Sequence, residues 1–226
     1  FLYHYSTETT EVQLLPAGQP RARMRPFLPR QAGHEYDIDH AGGMFYIRSN
    51  LDAVNFRVLC ATPEEAADTS KWRELIPARE DAMVESIQAF DDYLVVGERQ
   101  DGLCRVRIIA HDRSRDDYLP ASEDVYAMWP YLNASTHTTR VRFAYSSPVT
   151  PKQVLEIDLQ DNTTRLLKQD RVGGGYNSEN FRTQRRWVTA RDGARVPVSL
   201  VYHKDTPLDG SAPGLVCGYG AYGHAM

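Results

Sequence analysis

At 226 residues with 42% hydrophobic side chains, the chain is long enough for one large domain or two small ones and too apolar to be disordered by composition. Its formal net charge is -4 and no run of Lys or Arg forms a stripe, which leaves nothing to favour nucleic acid or an anionic membrane surface. No apolar run approaches the roughly 20 residues needed to cross a bilayer, so a soluble globular protein is expected.

Phe1 to Tyr5 lacks the basic start and apolar core of a secretory signal, and no initiator methionine precedes it. Both ends therefore read as cuts in a longer polypeptide. Cys60, Cys104 and Cys217 are odd in number, far apart and set in strand-like apolar runs. Buried, reduced thiols of a cytoplasmic protein are expected rather than disulfides, and no Cys-x-x-Cys spacing offers a metal site.

From the start to about residue 175 the chain is a succession of short strand-like runs divided by turn residues, with hardly any helical periodicity. Phe1 to Tyr5 and Glu11 to Leu15 flank a polar turn. Tyr36 to His40, Met44 to Arg48 and Asn55 to Cys60 follow, with Gly42-Gly43 at one corner. The order recurs in Met83 to Gln88, Tyr93 to Glu98 and Cys104 to Ile109, and again in Val125 to Trp129, Arg140 to Tyr145 and Val154 to Leu159. Each set is followed by a fourth short strand of common appearance: Arg25 to Pro29, Arg73 to Pro77, Asp116 to Pro120 and Thr164 to Lys168. Their second apolar residues, Leu28, Ile76, Leu119 and Leu167 or its neighbour, recur at roughly 40 to 50 residues, which is the period of propeller blades.

The predicted fold is thus mainly β: a partial β-propeller of about three and a half four-stranded blades. Alternation in Cys104-Arg105-Val106-Arg107-Ile108 puts apolar residues on one face, whereas Tyr93-Leu94-Val95-Val96 is apolar throughout, as a blade packed on both faces requires. A two-sheet sandwich is the rival architecture; the regular fourth strand favours the propeller. Three and a half blades cannot close a ring, which leaves open edges.

His34 and His40 superficially suggest a metal site, but on one strand they stand about 20 Å apart, too far to share an ion, and each is expected to be structural or solvated. Val172-Gly173-Gly174-Gly175 lacks the Gly-Lys-Ser/Thr ending of a phosphate loop and reads as a domain linker. Residues 1–175 and 176–226 are accordingly expected to be separate units. Ser211, in Gly210-Ser211-Ala212-Pro213-Gly214, is misplaced for a nucleophile elbow and reads as loop.

Beyond the linker, Arg186 to Ala190 and Val196 to Tyr202 form a predicted hairpin around Asp192-Gly193, and Pro197 calls for an edge or a bulge. A polar loop then leads to Leu215-Val216-Cys217, predicted as a buried strand, which empties into the glycine-rich Gly218-Tyr219-Gly220-Ala221-Tyr222-Gly223. Two antiparallel strands, a loop and a buried strand ending in such a turn are how an α/β-hydrolase sheet can open.

The residues Arg191-Asp192-Gly193-Ala194-Arg195-Val196-Pro197-Val198-Ser199-Leu200-Val201-Tyr202, with Gly218 to Gly223, resemble the start of the peptidase domain in the prolyl oligopeptidase family of serine peptidases. The Val196 to Tyr202 wording and Tyr222 are similar to the oligopeptidase B branch. His34-Glu35-Tyr36, Phe45 to Asn50 and Tyr145 to Pro151 are similar to the family's propeller blades. The resemblance implies a seven-bladed propeller capping an α/β-hydrolase domain, and metal-free, cofactor-free cleavage of short peptides after Arg or Lys by a Ser-Asp-His triad. No Gly-x-Ser-x-Gly occurs in the chain, so the nucleophile is expected beyond Met226 and the segment alone is expected to be inactive.

Tyr219 matches the family's oxyanion-hole tyrosine, a phenol that donates a hydrogen bond to the oxygen turning negative in the tetrahedral intermediate. By motif alone, packing against the sheet is the simpler reading of Tyr219; the resemblance reverses it. Tyr222 matches a position lining the substrate pocket, where a ring could hold the stem of Arg or Lys, and plain packing is its equal alternative. The other functional readings are a non-catalytic propeller scaffold that binds a partner and a prolyl-specific branch of the same family.

Overall fold

The computed structural model describes residues 1–221. The chain opens with β1 (Leu2–Tyr5), β2 (Thr10–Leu14) and the two-residue β3 (Arg25–Pro26), an antiparallel three-stranded sheet. A four-stranded meander follows: β4 (Tyr36–Ala41), β5 (Met44–Ser49), β6 (Arg57–Ala61) and β7 (Arg73–Ile76). The third sheet is β8 (Ala82–Ala89), β9 (Tyr93–Gln100), β10 (Leu103–Ala110) and β11 (Asp116–Tyr118). The fourth is β12 (Ala127–Pro130), β13 (Arg140–Ser146), β14 (Gln153–Asp158) and β15 (Thr164–Gln169). A single parallel bridge, Cys104 to Ala127, ties the third sheet to the fourth. The unit is three whole blades preceded by a partial one, and its sheets do not close into a ring.

Local chemistry sets the corners. Both residues of the β4–β5 turn, Gly42 and Gly43, have positive φ, as do both residues of the β9–β10 turn, Asp101 and Gly102. Two-residue turns of this kind match the right-handed twist of the strands they join, and glycine or aspartate tolerates them best.

The cores lie between the blades. In β9, Leu94 and Val96 enter a core shared with Tyr46, Val58 and Ile76 of the second blade. Their neighbours Tyr93 and Val95 enter a different core, with Met128, Val141, Phe143 and Ile157 of the fourth. The period of two along a strand feeds both cores from one apolar run. Val12, Phe27 and Leu28 likewise join Ile38, Ile47, Leu59 and Trp72 between the first and second blades. Leu28, Ile76 and Leu119 are buried at 4%, 2% and 3% exposure, each in the core shared with the following blade. Leu166 and Leu167, at the corresponding place in the fourth, are 50% and 39% exposed.

Polar ties reinforce the stack. The backbone N–H of Ala89 donates to Asp39 Oδ2 at 2.8 Å, and Gln88 Nε2 donates to the carbonyl of Tyr131 at 2.9 Å, so the first strands of successive blades stand side by side at the hub. Arg48 crosses from the second blade to donate through Nε to the carbonyl of Val84, pairs with Asp37 at 2.9 Å and lies 3.4 Å over the Phe56 ring. Glu98 is wholly buried on β9 and is held by Arg107 Nη1 at 3.1 Å, Arg79 Nη1 at 3.5 Å and the hydroxyl of Tyr118.

The second unit is a hairpin of β16 (Phe181–Thr189) and β17 (Arg195–His203), closed by Ala190 N–H donating to the Ala194 carbonyl at 2.8 Å, with Gly193 at positive φ. Pro197 faces Trp187 across it, and β17 has no strand on its other side among the described residues, which suits a residue without an N–H. The predicted buried strand at 215–217 is corrected: the segment forms no strand, Leu215 and Val216 are 90% and 96% exposed, and Cys217 is exposed. A strand requires a partner for its amides and carbonyls, and no described residue pairs with this run. Cys60 is buried and Cys104 partly so, and none of the three is in a disulfide.

Replacing Glu98 with alanine empties a wholly buried site and removes the carboxylate shared by Arg79, Arg107 and Tyr118, while Arg79 keeps Asp81 at 2.7 Å and Arg107 keeps Asp116 at 2.6 Å. Urea denaturation of the full-length polypeptide carrying this chain is expected to show a loss of about 1 to 3 kcal/mol.

Candidate active-site loop

The chain leaves the fourth blade through exposed Gly173-Gly174-Gly175, the last two at positive φ. Tyr176 then fastens the next unit to the propeller. Its hydroxyl donates to the carbonyl of Val149, and its ring stacks on Phe181 at 5.7 Å, which meets His203 edge-on at 5.8 Å. Lys204 completes this base, its N–H donating to the carbonyl of Asn180 at 2.8 Å and its Nζ to Asn180 Oδ1 at 3.0 Å.

A second fastening lies further along the hairpin. A Cβ added to Gly102 would stand 3.3 Å from Pro197 Cγ and 3.7 Å from Arg185 Nη2, so the β9–β10 turn lies directly against the hairpin. Trp187 sits between the guanidinium groups of Arg185 and Arg195, each 5.7 Å from its ring. The hairpin therefore rests on one rim of the propeller, on turns from the third and fourth blades.

Beyond His203 the chain runs through turns. Ser211 donates through N–H and hydroxyl to Asp209 Oδ1 at 3.0 and 2.6 Å, which holds that carboxyl below the usual range. Its hydroxyl thus serves a turn, as expected of a loop serine. Tyr219 follows in irregular chain, 52% exposed, with no hydrogen bond or ring contact among the described residues. Tyr222 lies outside the described residues. Among the described residues no second catalytic group lies against Tyr219.

The two histidines have different surroundings, and only His40 lies on β4. Buried His34 is hydrogen-bonded through Nε2 to Ser49 Oγ at 2.8 Å and lies 4.8 Å from the Tyr36 ring, and burial pushes its pKa down. Exposed His40 lies against Phe45, ring centroids 4.9 Å apart. Sequence reasoning missed the docking contacts of Tyr176, Arg185 and Pro197. Gly102 was legible only as a turn, since its approach to Pro197 joins residues 95 positions apart.

Comparison with known proteins supplies the affiliation. The family model described as "Prolyl oligopeptidase, N-terminal beta-propeller domain" matches residues 1–170. The chain belongs to the prolyl oligopeptidase family. Among curated members, dipeptidyl aminopeptidase BI of Pseudoxanthomonas mexicana is 38% identical over 223 residues, covering 98% of this chain and 30% of that protein. Protease 2 of Moraxella lacunata is 28% identical, covering 99% and 32%. Among solved structures, oligopeptidase B from Leishmania major superposes with a TM-score of 0.86 at 30% identity, over 99% of this chain and 33% of that one. Oligopeptidase B from Trypanosoma brucei with covalently bound antipain, in a closed form, gives 0.83 at 27% identity, over 97% and 32%. The chain thus spans about a third of the length of the family members it matches.

Gly102→Val would place a branched side chain at a left-handed position and against Pro197. In the full-length polypeptide this variant is expected to be cut several-fold faster at residues 171–176 in limited proteolysis, because one of the two fastenings is lost.

Proposed function

We propose that this chain is part of a cytoplasmic serine oligopeptidase that cleaves short peptides after Arg or Lys. The likeness to oligopeptidase B from Leishmania major over 99% of the chain carries this reading. In it, residues 1–175 are propeller blades and residues 176–226 are the linker and the opening of an α/β-hydrolase peptidase domain. Tyr219 donates its phenolic hydrogen to the oxyanion of the tetrahedral intermediate, and the glycines on either side of it leave the backbone free to turn toward the nucleophile. Tyr222 contributes an aromatic wall against the aliphatic stem of the basic side chain. The nucleophile, acid and base come from sequence other than these 226 residues, which contain no Gly-x-Ser-x-Gly. The segment by itself is inactive.

The propeller's part is positional. Its rim carries the hairpin through Tyr176 and Gly102, and that hairpin leads to the loop bearing Tyr219. Fixing a donor to within a fraction of an ångström requires such rigid support.

A second reading rests on the 38% identity to a protein named dipeptidyl aminopeptidase BI: release of dipeptides from free amino termini. One assay separates the two. The full-length polypeptide is given amino-blocked peptides ending in Arg or Pro before the scissile bond, and the same peptides with free amino termini. The oligopeptidase reading expects kcat/KM for blocked Arg peptides to exceed that for Pro peptides by roughly a hundredfold or more. Cleavage confined to unblocked peptides, two residues from the end, would replace it with the dipeptidyl reading. Preference for Pro would assign the prolyl branch.

A further inference from the structure

Between the second and third blades a crevice of about 140 Å³ opens beside the turn that joins β10 to β11. Leu75, Leu94 and Ile109 contribute to its apolar lining, and Tyr46, His111 and Arg113 to its polar one. Tyr46, on β5, is 5% exposed, and burial pushes its pKa up to about 12, so the phenol keeps its hydrogen.

That hydrogen lacks a good acceptor. His111 Nε2 lies 3.0 Å from the carbonyl of Phe90, and because a carbonyl only accepts, the ring hydrogen stands on Nε2. The Tyr46 hydroxyl is also 3.0 Å from Nε2, but a nitrogen that donates to Phe90 has no lone pair to receive a second hydrogen. Nδ1 is 3.5 Å from the same hydroxyl, and the two rings stack at 8°. A hydroxyl on the in-plane lone pair of one ring nitrogen would stand roughly 5 Å from the other. Tyr46 Oη therefore lies over the face of the imidazole, and its hydrogen is left for a group inside the crevice.

Arg113 is the second donor. It sits in the turn after β10 with a φ of 63°, a left-handed conformation uncommon outside glycine, and its Nη2 donates to the carbonyl of Leu75 at 2.9 Å. That bond holds a guanidinium of the third blade against the second. Among the described residues no carboxylate pairs with Arg113, whereas nearby Arg107 and Arg115 are held by Asp116 and Asp117. Asp112, its neighbour in the chain, turns Oδ1 to the N–H and hydroxyl of Ser114 at 2.9 and 2.5 Å. A buried phenol without an acceptor and an unpaired guanidinium beside an apolar crevice cost free energy that an anionic acceptor would recover.

We propose that this crevice binds a small carboxylate with a short apolar body, of the size of butyrate. Its oxygens accept from Tyr46 Oη and from the Arg113 nitrogens that Leu75 leaves free, and its hydrocarbon covers Leu75, Leu94 and Ile109. A cavity of roughly 150 Å³ takes a molecule as large as benzene, so a body of about four to six carbons fills this one. An ammonium ion is a poor occupant beside the Arg113 guanidinium. Water alone would leave the apolar lining uncovered. The crevice belongs to the blades and not to the Tyr219 loop, so it holds or fails independently of the peptidase reading.

The test is a saturation-transfer NMR titration of the full-length polypeptide with butyrate, and with butylammonium as a probe of similar length and opposite charge. Saturable binding of butyrate, none of butylammonium, and about a tenfold loss of affinity in Arg113→Gln are expected. Tyr46→Phe keeps the ring and is expected to weaken binding several-fold. Arg113 stands on an exposed turn, so its replacement leaves the cores intact and gives a reading even if Tyr46→Phe does not fold. The proposal is overturned by absence of saturable butyrate binding, by equal binding of both probes, or by wild-type affinity in either variant when that variant melts as the wild type does.

Discussion

Tyr93, Leu94, Val95 and Val96 are all buried, and because successive side chains of a strand point to opposite faces, the sheet that holds them needs a neighbour on each side. Much of the structure depends on this constraint. It sends Leu94 and Val96 into one core and Tyr93 and Val95 into another, and the second blade repeats the device with Tyr46 and Ile47. No blade is stable alone, since each core is made from two. The recurrent residue at the end of the outer strand or just beyond it, Leu28, Ile76 or Leu119, closes each interface.

Stacking of this kind gives a stiff rim, and the function proposed for the chain uses that stiffness. The hairpin buries little of its own surface: Trp187, Val188, Val196 and Val201 are all over 40% exposed. Its placement comes from two contacts with the rim, the Tyr176 group at its base and Gly102 against Pro197. From the hairpin the chain proceeds to the loop of Tyr219. The rim thus places the hairpin, and the chain from His203 to Tyr219 beyond it is irregular.

Strands of the blades were legible in the sequence because three independent signals coincide there. Turn residues such as Gly42-Gly43 and Asp101-Gly102 set the corners, apolar runs set the strands, and the recurrence of Leu28, Ile76 and Leu119 set the period. Burial of Glu98 was not legible. A carboxylate at a strand end reads as solvent-facing until Arg107 and Tyr118 of neighbouring strands and Arg79 of the loop before β8 are brought around it. Leu215 to Cys217 erred in the opposite direction: the run is apolar enough for a buried strand, but hydropathy does not reveal whether a partner strand exists to satisfy its backbone. The same gap separates motif from site at Tyr219. Its residue type and glycine neighbours mark a loop fit for catalysis, while the group it would serve is a matter of tertiary contact.

The account turns on that phenol, and the most direct measurement is the steady-state kinetics of Tyr219→Phe in the full-length polypeptide on an Arg-containing peptide. Removing the donor while keeping the ring is predicted to lower kcat by roughly a hundredfold to a thousandfold, with KM and the melting temperature unchanged. A kcat within about twofold of the wild type would contradict the account and return Tyr219 to an ordinary loop residue.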